Sequence, residues 1–290
     1  MAELDDTESG DFNLIRLYLY PLDDLESPPG QALVARCRAE LEATGCCSLP
    51  DFLTPAALAE MSALSREAAA SAYVAKIRTN VYFTRDDESL PEDHPKRLFM
   101  ERSSAFVPAD CIPAGSVQRR LYDWPPFLPF IAACLGEPEL HKYADPVADT
   151  IVNVVGPDEE FPWHFDTNDF SVSILTQAAE EGGRFEFAPN IRSPRDENYE
   201  GVRKVLDGDR GSVLSLDLKP GDLQIFQGRN SLHRVTKVSG RRPRYTAIFS
   251  YAREPGMIGR VERTRQLYGK VLPAHIEAEA RGERSDRLID

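Results

Sequence analysis

The chain of 290 residues reads as an α+β protein, a helical N-terminal wrap on an antiparallel β core, in one domain rather than two. Three observations predict this. The hydrophobic fraction is 42% and the charged fraction 28%, an average composition that buries a large core without disulfides or structural metal. Before about residue 140 apolar residues recur at helical spacing. After it, short runs rich in β-branched and aromatic residues are punctuated by Gly, Pro, Asn and Asp, which argues for a sandwich or barrel. Such all-β units often run past roughly 200 residues, so length does not demand a second domain. The expected layout is a disordered acidic tail over 1–11, a mainly helical part over 12–139, the β core over 140–256, and a helix with a charged tail over 257–290.

Each element has a local reason. Leu33, Val34, Cys37, Ala39 and Leu41 recur at helical spacing between Gln31 and Thr44, and Gly45 stops that helix. CCSLPDFL then reads as a short buried strand and a turn. Thr54-Pro55 caps an alanine-rich helix predicted to reach about Ala75. Asn80–Thr84 (NVYFT) is a strand candidate, and residues 85–97 form a charged loop. Ser116–Leu135 is helical at both ends, broken at Trp124-Pro125-Pro126 and stopped by Gly136. The core strands are predicted at Ile151–Val155, Ser171–Gln177, Arg184–Ala188, Ser212–Leu218, Leu223–Phe226 and Tyr245–Tyr251. Asp196–Leu206 is an inserted helix on a flap over about 189–211, and Arg260–Leu272 a closing helix. That helix is equally suited to pairing two subunits as a homodimer and to simple packing.

Lys+Arg total 34 against Asp+Glu 47, a net charge of -13. That sign repels phosphate backbones and anionic lipid, so nucleic acid and membranes are excluded as partners. No apolar run approaches the ~20 residues a bilayer requires. The start, MAELDDTESGDF, lacks the basic and apolar regions of a signal peptide, so a cytoplasmic protein is expected. The five cysteines, 37, 46, 47, 111 and 134, contain no C-x-x-C pair and read as small buried hydrophobes. There is no G-x-G-x-x-G, P-loop or G-x-S-x-G sequence, so dinucleotide, P-loop and serine-hydrolase chemistry lack support.

The histidines carry more. His164 and Asp166 are two apart in FPWHFDTNDF, a spacing that on a strand points both side chains to one face. His233 follows in GRNSLHRVT, just after PGDLQIF, where a rolled sheet brings a late strand beside an early one. Two His and one carboxylate with open positions form the facial triad of non-haem Fe(II) oxygenases. A surface pair beside a turn would also explain an isolated H-x-D. Arg244 lies eleven residues after His233 and shares strand parity with Thr246, Ile248 and Ser250. A buried guanidinium is costly unless it meets an anion, and its fork suits a carboxylate. Arg242 has the same parity and is the fallback. His94 and His275 lie in charged stretches expected to be exposed and His141 precedes the core, so these three read as structural or incidental.

This order, H-x-D, then His, then Arg with a hydroxyl two residues on, resembles the Fe(II)/2-oxoglutarate-dependent dioxygenases. GGRFEF, PGDLQIF and GRNSLHRVTKVSGRRPR resemble that superfamily's double-stranded β-helix, a jelly-roll, cupin-like core. WHFDTNDFSVSILTQ, FEFAPNIR and DENY resemble more narrowly the bacterial hydroxylases and halogenases of free amino acids. The resemblance covers about 140–256 well and the N-terminal half loosely. It implies Fe(II) held by His164, Asp166 and His233, with 2-oxoglutarate and O2 as co-substrates. Arg244 and Thr246 would hold the far carboxylate of 2-oxoglutarate. Asn153, in TIVNVV, has period-2 neighbours and could place its amide near the co-substrate, or be a satisfied strand asparagine. Halogenases of that lineage have Gly or Ala where this chain has Asp166, so the resemblance implies hydroxylation, or another oxidation such as desaturation, in bacterial specialised metabolism.

Substrate candidates are Asn168 and Asp169 beside the triad, Arg192 on the flap, and Arg78 and Arg102, which could clamp an amino-acid carboxylate. Trp163 reads as a core residue or a support beneath the site. The substrate class expected is a small molecule, an amino acid or derivative. The alternatives are a peptide or carrier-tethered aminoacyl group, and a cupin-like sensor that binds metal or ligand without turnover.

Overall fold

The computed structural model describes residues 13–74 and 77–280. The tail expected at 1–11 and the last ten residues lie outside them. The first helix, α1 (Pro28–Thr44), begins where the Ser27 side chain accepts from the Gly30 amide, and it ends at Gly45 in the left-handed region with φ 69°. β1 (Cys46–Leu49) follows, then α2 (Pro55–Ala68), capped by Thr54. The helix stops short of Ala75 because Tyr73–Val74 forms β2, and long-range pairing overrides the helical propensity of the alanines.

Asn80–Thr84 is not a strand. The Asn80 side chain donates to the Thr84 and Lys96 carbonyls at 3.0 and 2.6 Å and accepts from the Tyr82 and Thr84 amides. One amide thereby folds the segment into a turn, with Phe83 at φ 59°. The strands here lie on either side of that turn: β3 (Ile77–Thr79), β4 (Met100–Arg102) and β5 (Ala105–Val107). α3 (Val117–Asp123) and α4 (Phe127–Leu135) flank the Pro pair as expected, and Gly136 ends α4 at φ 71°.

The core strands are β6 (His141–Lys142), β7 (Thr150–Val155), β8 (Phe161–His164), β9 (Ser171–Gln177), β10 (Glu181–Gly182) and β11 (Phe185–Ala188). After the inserted helix α5 (Tyr199–Leu206) come β12 (Leu214–Leu216), β13 (Leu223–Phe226), β14 (Leu232–Val235), β15 (Val238–Ser239) and β16 (Arg244–Ala252). The chain closes with α6 (Val261–Tyr268) and α7 (Pro273–Glu279), two short helices where one was expected. The large antiparallel sheet runs β1-β13-β9-β16-β7-β5-β2, and the small one β12-β11-β14-β8. These two sheets make the jelly-roll core. The N-terminal part contributes strands as well as helices, since β1 pairs with β13 and β5 with β7.

Strand alternation divides the large sheet into two chemically distinct faces. Val172 and Ile174 of β9, Leu223 and Ile225 of β13, and Ala247, Phe249 and Tyr251 of β16 form one core with residues of α1 to α4. The intervening Ser171, Ser173, Gln224, Arg244, Thr246 and Ser250 line a cavity on the other face. A one-residue slip of any of these strands would exchange the sets, so burial of the apolar face secures the polar one.

Two side chains are placed differently from expectation. Cys111 is exposed, while the other four cysteines are buried; it ends a single 3-10 turn at the surface. His275 is fully buried, with Nε2 3.1 Å from both oxygens of Asp145. Asp145 also accepts from the Val147 and Gly259 amides at 2.9 and 3.0 Å. This one carboxylate therefore ties α7 and the approach to α6 onto the segment leading into β7. Removing one member of a buried pair strands the other, so His275→Ala should lower unfolding stability by about 3 kcal/mol. Urea denaturation checks this, and a loss below about 1 kcal/mol would rule out such a tie.

Candidate active site

His164 ends β8 and His233 lies on β14, and the two are direct partners across that antiparallel pair. Their rings stand with centroids 4.1 Å apart. Each ring is oriented from behind by a main-chain carbonyl: Nδ1 of His164 lies 2.8 Å from the Pro162 oxygen, and Nδ1 of His233 lies 2.9 Å from the Ser231 oxygen. A carbonyl only accepts, so each Nδ1 carries the hydrogen and each Nε2 offers a lone pair. Phe161 stacks on His164 at 3.7 Å, and Phe226 meets His233 edge-on at 4.8 Å.

Asp166 completes the group from the loop beyond β8. Its Oδ1 lies 3.7 Å from Nε2 of His164 and 3.4 Å from Nε2 of His233. Three ligand atoms, one from each residue, all fall within 4.8 Å of one another, and this is the one such cluster among the described residues. Burial opposes ionisation of Asp166, but the two imidazoles and the Ser171 hydroxyl outweigh it and hold the carboxyl well below its usual range. Burial, with His233 alongside, pushes His164 well down, favouring the neutral imidazole that ligates metal.

Arg244 and Thr246 line the same cavity from β16, and Nη1 of Arg244 donates to Oγ1 of Thr246. Arg244 is 5% exposed, burial pushes it down to about 10, and no carboxylate among the described residues pairs with it. It therefore stays a cation with a missing counter-ion. Asn153 stands beside Thr246 in the β7–β16 register and donates to the Ala105 carbonyl at 3.2 Å. The donor set fits a divalent iron at the triad and a dicarboxylate reaching from it to Arg244.

The substrate candidates separate. Asn168 lines the cavity. Asp169 faces away, 3.8 Å from Arg229 and 3.4 Å from Arg253. Arg192 is outside the cavity and bound to Glu197 at 2.9 Å and to the Arg229 carbonyl at 2.7 Å, with its guanidinium over Phe165. Arg78 is exposed and donates to the Phe99 carbonyl. Arg102 is 1% exposed, lies over the rings of Phe161 and Phe106 at 4.8 and 5.2 Å, and is pushed down to about 10 by burial. Neither of its Nη atoms has a hydrogen-bond partner among the described residues. Trp163 sits outside the cavity among Val81, Phe165 and Leu232, beneath Arg234.

Sequence reasoning missed the wall made by α6, from which Arg263, Leu267 and Tyr268 line the cavity; no residue of the 189–211 segment does. It also missed Ser171 and Gly228, which hold Asp166. Ser171 could have been found from strand parity on β9; α6 and Gly228 had no local signal.

A family model described as Halogenase D matches residues 30–266. The chain belongs to the halogenase D family. The Fe(II)/2-oxoglutarate oxygenase superfamily resembled by the motifs is thus its superfamily. Among curated proteins, none matches the chain. Among solved structures, AviO1 from Streptomyces viridochromogenes Tue57 is similar at TM-score 0.53 and 18% identity, over 76% of this chain and 95% of that one. An oxidoreductase of the 2OG-Fe(II) oxygenase family from Burkholderia pseudomallei gives TM-score 0.51 and 16% identity over 76% and 91%. The non-haem alpha-ketoglutarate-dependent epimerase SnoN, from nogalamycin biosynthesis, gives 0.53 and 16% over 77% and 84%. At these identities the likeness is one of fold, the double-stranded β-helix.

A buried guanidinium without a counter-ion costs stability. Replacing Arg102 or Arg244 by Met should therefore leave the unfolding free energy unchanged or raise it by about 1 kcal/mol. Thermal and urea unfolding check this; a drop of about 2 kcal/mol would instead make them structural residues.

Proposed function

We propose that this protein is an iron- and 2-oxoglutarate-dependent oxygenase that hydroxylates a C–H bond of a small carboxylate-bearing molecule, an amino acid or close derivative. The observation that carries this reading is the pairing, in one cavity, of the His164, Asp166 and His233 cluster with a buried Arg244 that no carboxylate meets. His164, Asp166 and His233 would hold Fe(II), and Arg244 with Thr246 would hold the far carboxylate of 2-oxoglutarate. Iron bound there supplies the O2 activation that side chains lack. The overall balance is substrate C–H, 2-oxoglutarate and O2 going to alcohol, succinate and CO2.

The protein's own part is positioning and shielding. Phe161, Phe226, Phe106 and Tyr268 give the cavity an aromatic lining that excludes water around the reacting bond. Asn168 beside the triad can orient a polar substrate group. The charge favours a substrate carboxylate: Arg263 lines the cavity, Arg102 stands behind its aromatic wall, and Asp166 is the one carboxylate among the described lining residues. Asp166, whose Oδ1 faces both imidazoles, supports hydroxylation over the halogenation in the family's name.

The test is succinate formation from 2-oxoglutarate with Fe(II) and O2 against each proteinogenic amino acid, followed by mass spectrometry in the presence of chloride. Stimulation by one or two amino acids, a product that gains one oxygen, and silence of His164→Ala are expected. Chlorinated product from the wild type would sink the hydroxylase reading, and loss of two hydrogens would make the reaction a desaturation. Arg244→Gln should raise the KM for 2-oxoglutarate at least about thirtyfold, because truncating a buried charge pair costs about 2 kcal/mol or more.

A further inference from the structure

We propose that Ser171, backed by Gly228, makes Asp166 a one-oxygen ligand by engaging its second carboxylate oxygen; this rests on the iron reading above. Carboxylates bind metals through one oxygen or two. A second oxygen on the metal would fill a position that the co-substrates need. The two oxygens of Asp166 are in different surroundings. Oδ1 faces Nε2 of both histidines. Oδ2 accepts from Oγ of Ser171 at 2.6 Å, the length of a charge-assisted O–H···O bond.

The main chain makes this contact necessary. Asp166 lies in the loop between β8 and β9, outside any ladder. Its amide donates to the Gly228 carbonyl at 3.1 Å, which holds the backbone and leaves the carboxylate free to turn. Ser171 is the first residue of β9, paired with Phe226 on one side and Ser250 on the other, so its hydroxyl has a rigid mount. Gly228 closes the opposite side: a Cβ there would stand 2.0 Å from Oδ2 and 2.6 Å from Cγ of Asp166. A glycine is required for the carboxylate to occupy this place, and Ser171 decides which oxygen is spent on the protein.

The test is Co(II) titration of the metal-free protein, followed by visible absorption, which reports affinity and coordination number without turnover. Ser171→Ala should weaken Co(II) binding about tenfold or more, the usual effect of losing a group that orients a ligand. Its spectrum should also shift. Ser171→Thr, which keeps the hydroxyl, should restore both. Gly228→Ala tests the same constraint from the other side and should weaken binding further, by displacing Asp166 itself. Wild-type affinity and spectrum in either Ser171→Ala or Gly228→Ala would overturn the proposal. Co(II) uptake that His164→Ala leaves unchanged would overturn the metal reading, and the proposal with it. Thermal unfolding of the metal-free variants separates these effects from misfolding.

Discussion

Because His233 on β14 stands opposite His164 on β8, the two imidazoles meet at a spacing set by strand pairing. The site inherits its geometry from that register. Pro162 and Ser231 lie two residues before each histidine and turn their carbonyls onto Nδ1. The local chain that delivers each ring thus also sets its tautomer. A ligand pair built this way needs no other loop to orient it, and only the third ligand depends on one.

The large sheet supplies the counterpart. Its outer face is locked against the helices by aliphatic and aromatic residues, so the alternate residues have to face inward whatever their chemistry. That is how Arg244 is carried into a cavity where no carboxylate among the described residues pairs with it. The fold bears the desolvation through the packing of Ala247, Phe249 and Tyr251 on the same strand. Arg102 shows the same economy, resting its guanidinium on two aromatic faces that themselves line the cavity. Arg102, whose Nη atoms have no hydrogen-bond partner among the described residues, and Arg244, which no carboxylate meets, are buried cations that cost stability rather than supply it.

Much of this was legible because the relevant rules are local. The parity of Arg244, Thr246 and Asn153, the Pro break between α3 and α4, and the glycines that stop α1 and α4 all follow from spacing. The fold class followed from the change of residue pattern near residue 140, and the superfamily from motif order. What escaped depends on distant contacts. NVYFT has strand composition, yet the Asn80 side chain bonds the backbone and folds it into a turn. His275 sits in a charged stretch, and its burial depends on Asp145 far away in the chain. The 189–211 segment looked like the cavity's cover, but Arg192 is spent inside it on Glu197, and α6 forms the wall instead. Asp166 was expected to share a strand face with His164; it lies past the strand's end, and its position comes from Gly228 and Ser171.

That last displacement bears on how freely position 166 can change. A ligand on a strand is part of a packed surface, and removing its side chain leaves a hole. Asp166 instead hangs from a loop whose backbone is held by an amide bond to Gly228, which any residue at 166 except proline could make. The imidazoles keep their register and tautomers from β8 and β14 regardless. Position 166 can therefore change between a carboxylate and a small residue at little cost to the fold. In the lineage that the motifs resemble, that exchange separates hydroxylation from halogenation. Two members of the cluster belong to the scaffold, and the third is an appendage clamped by one hydroxyl and one glycine.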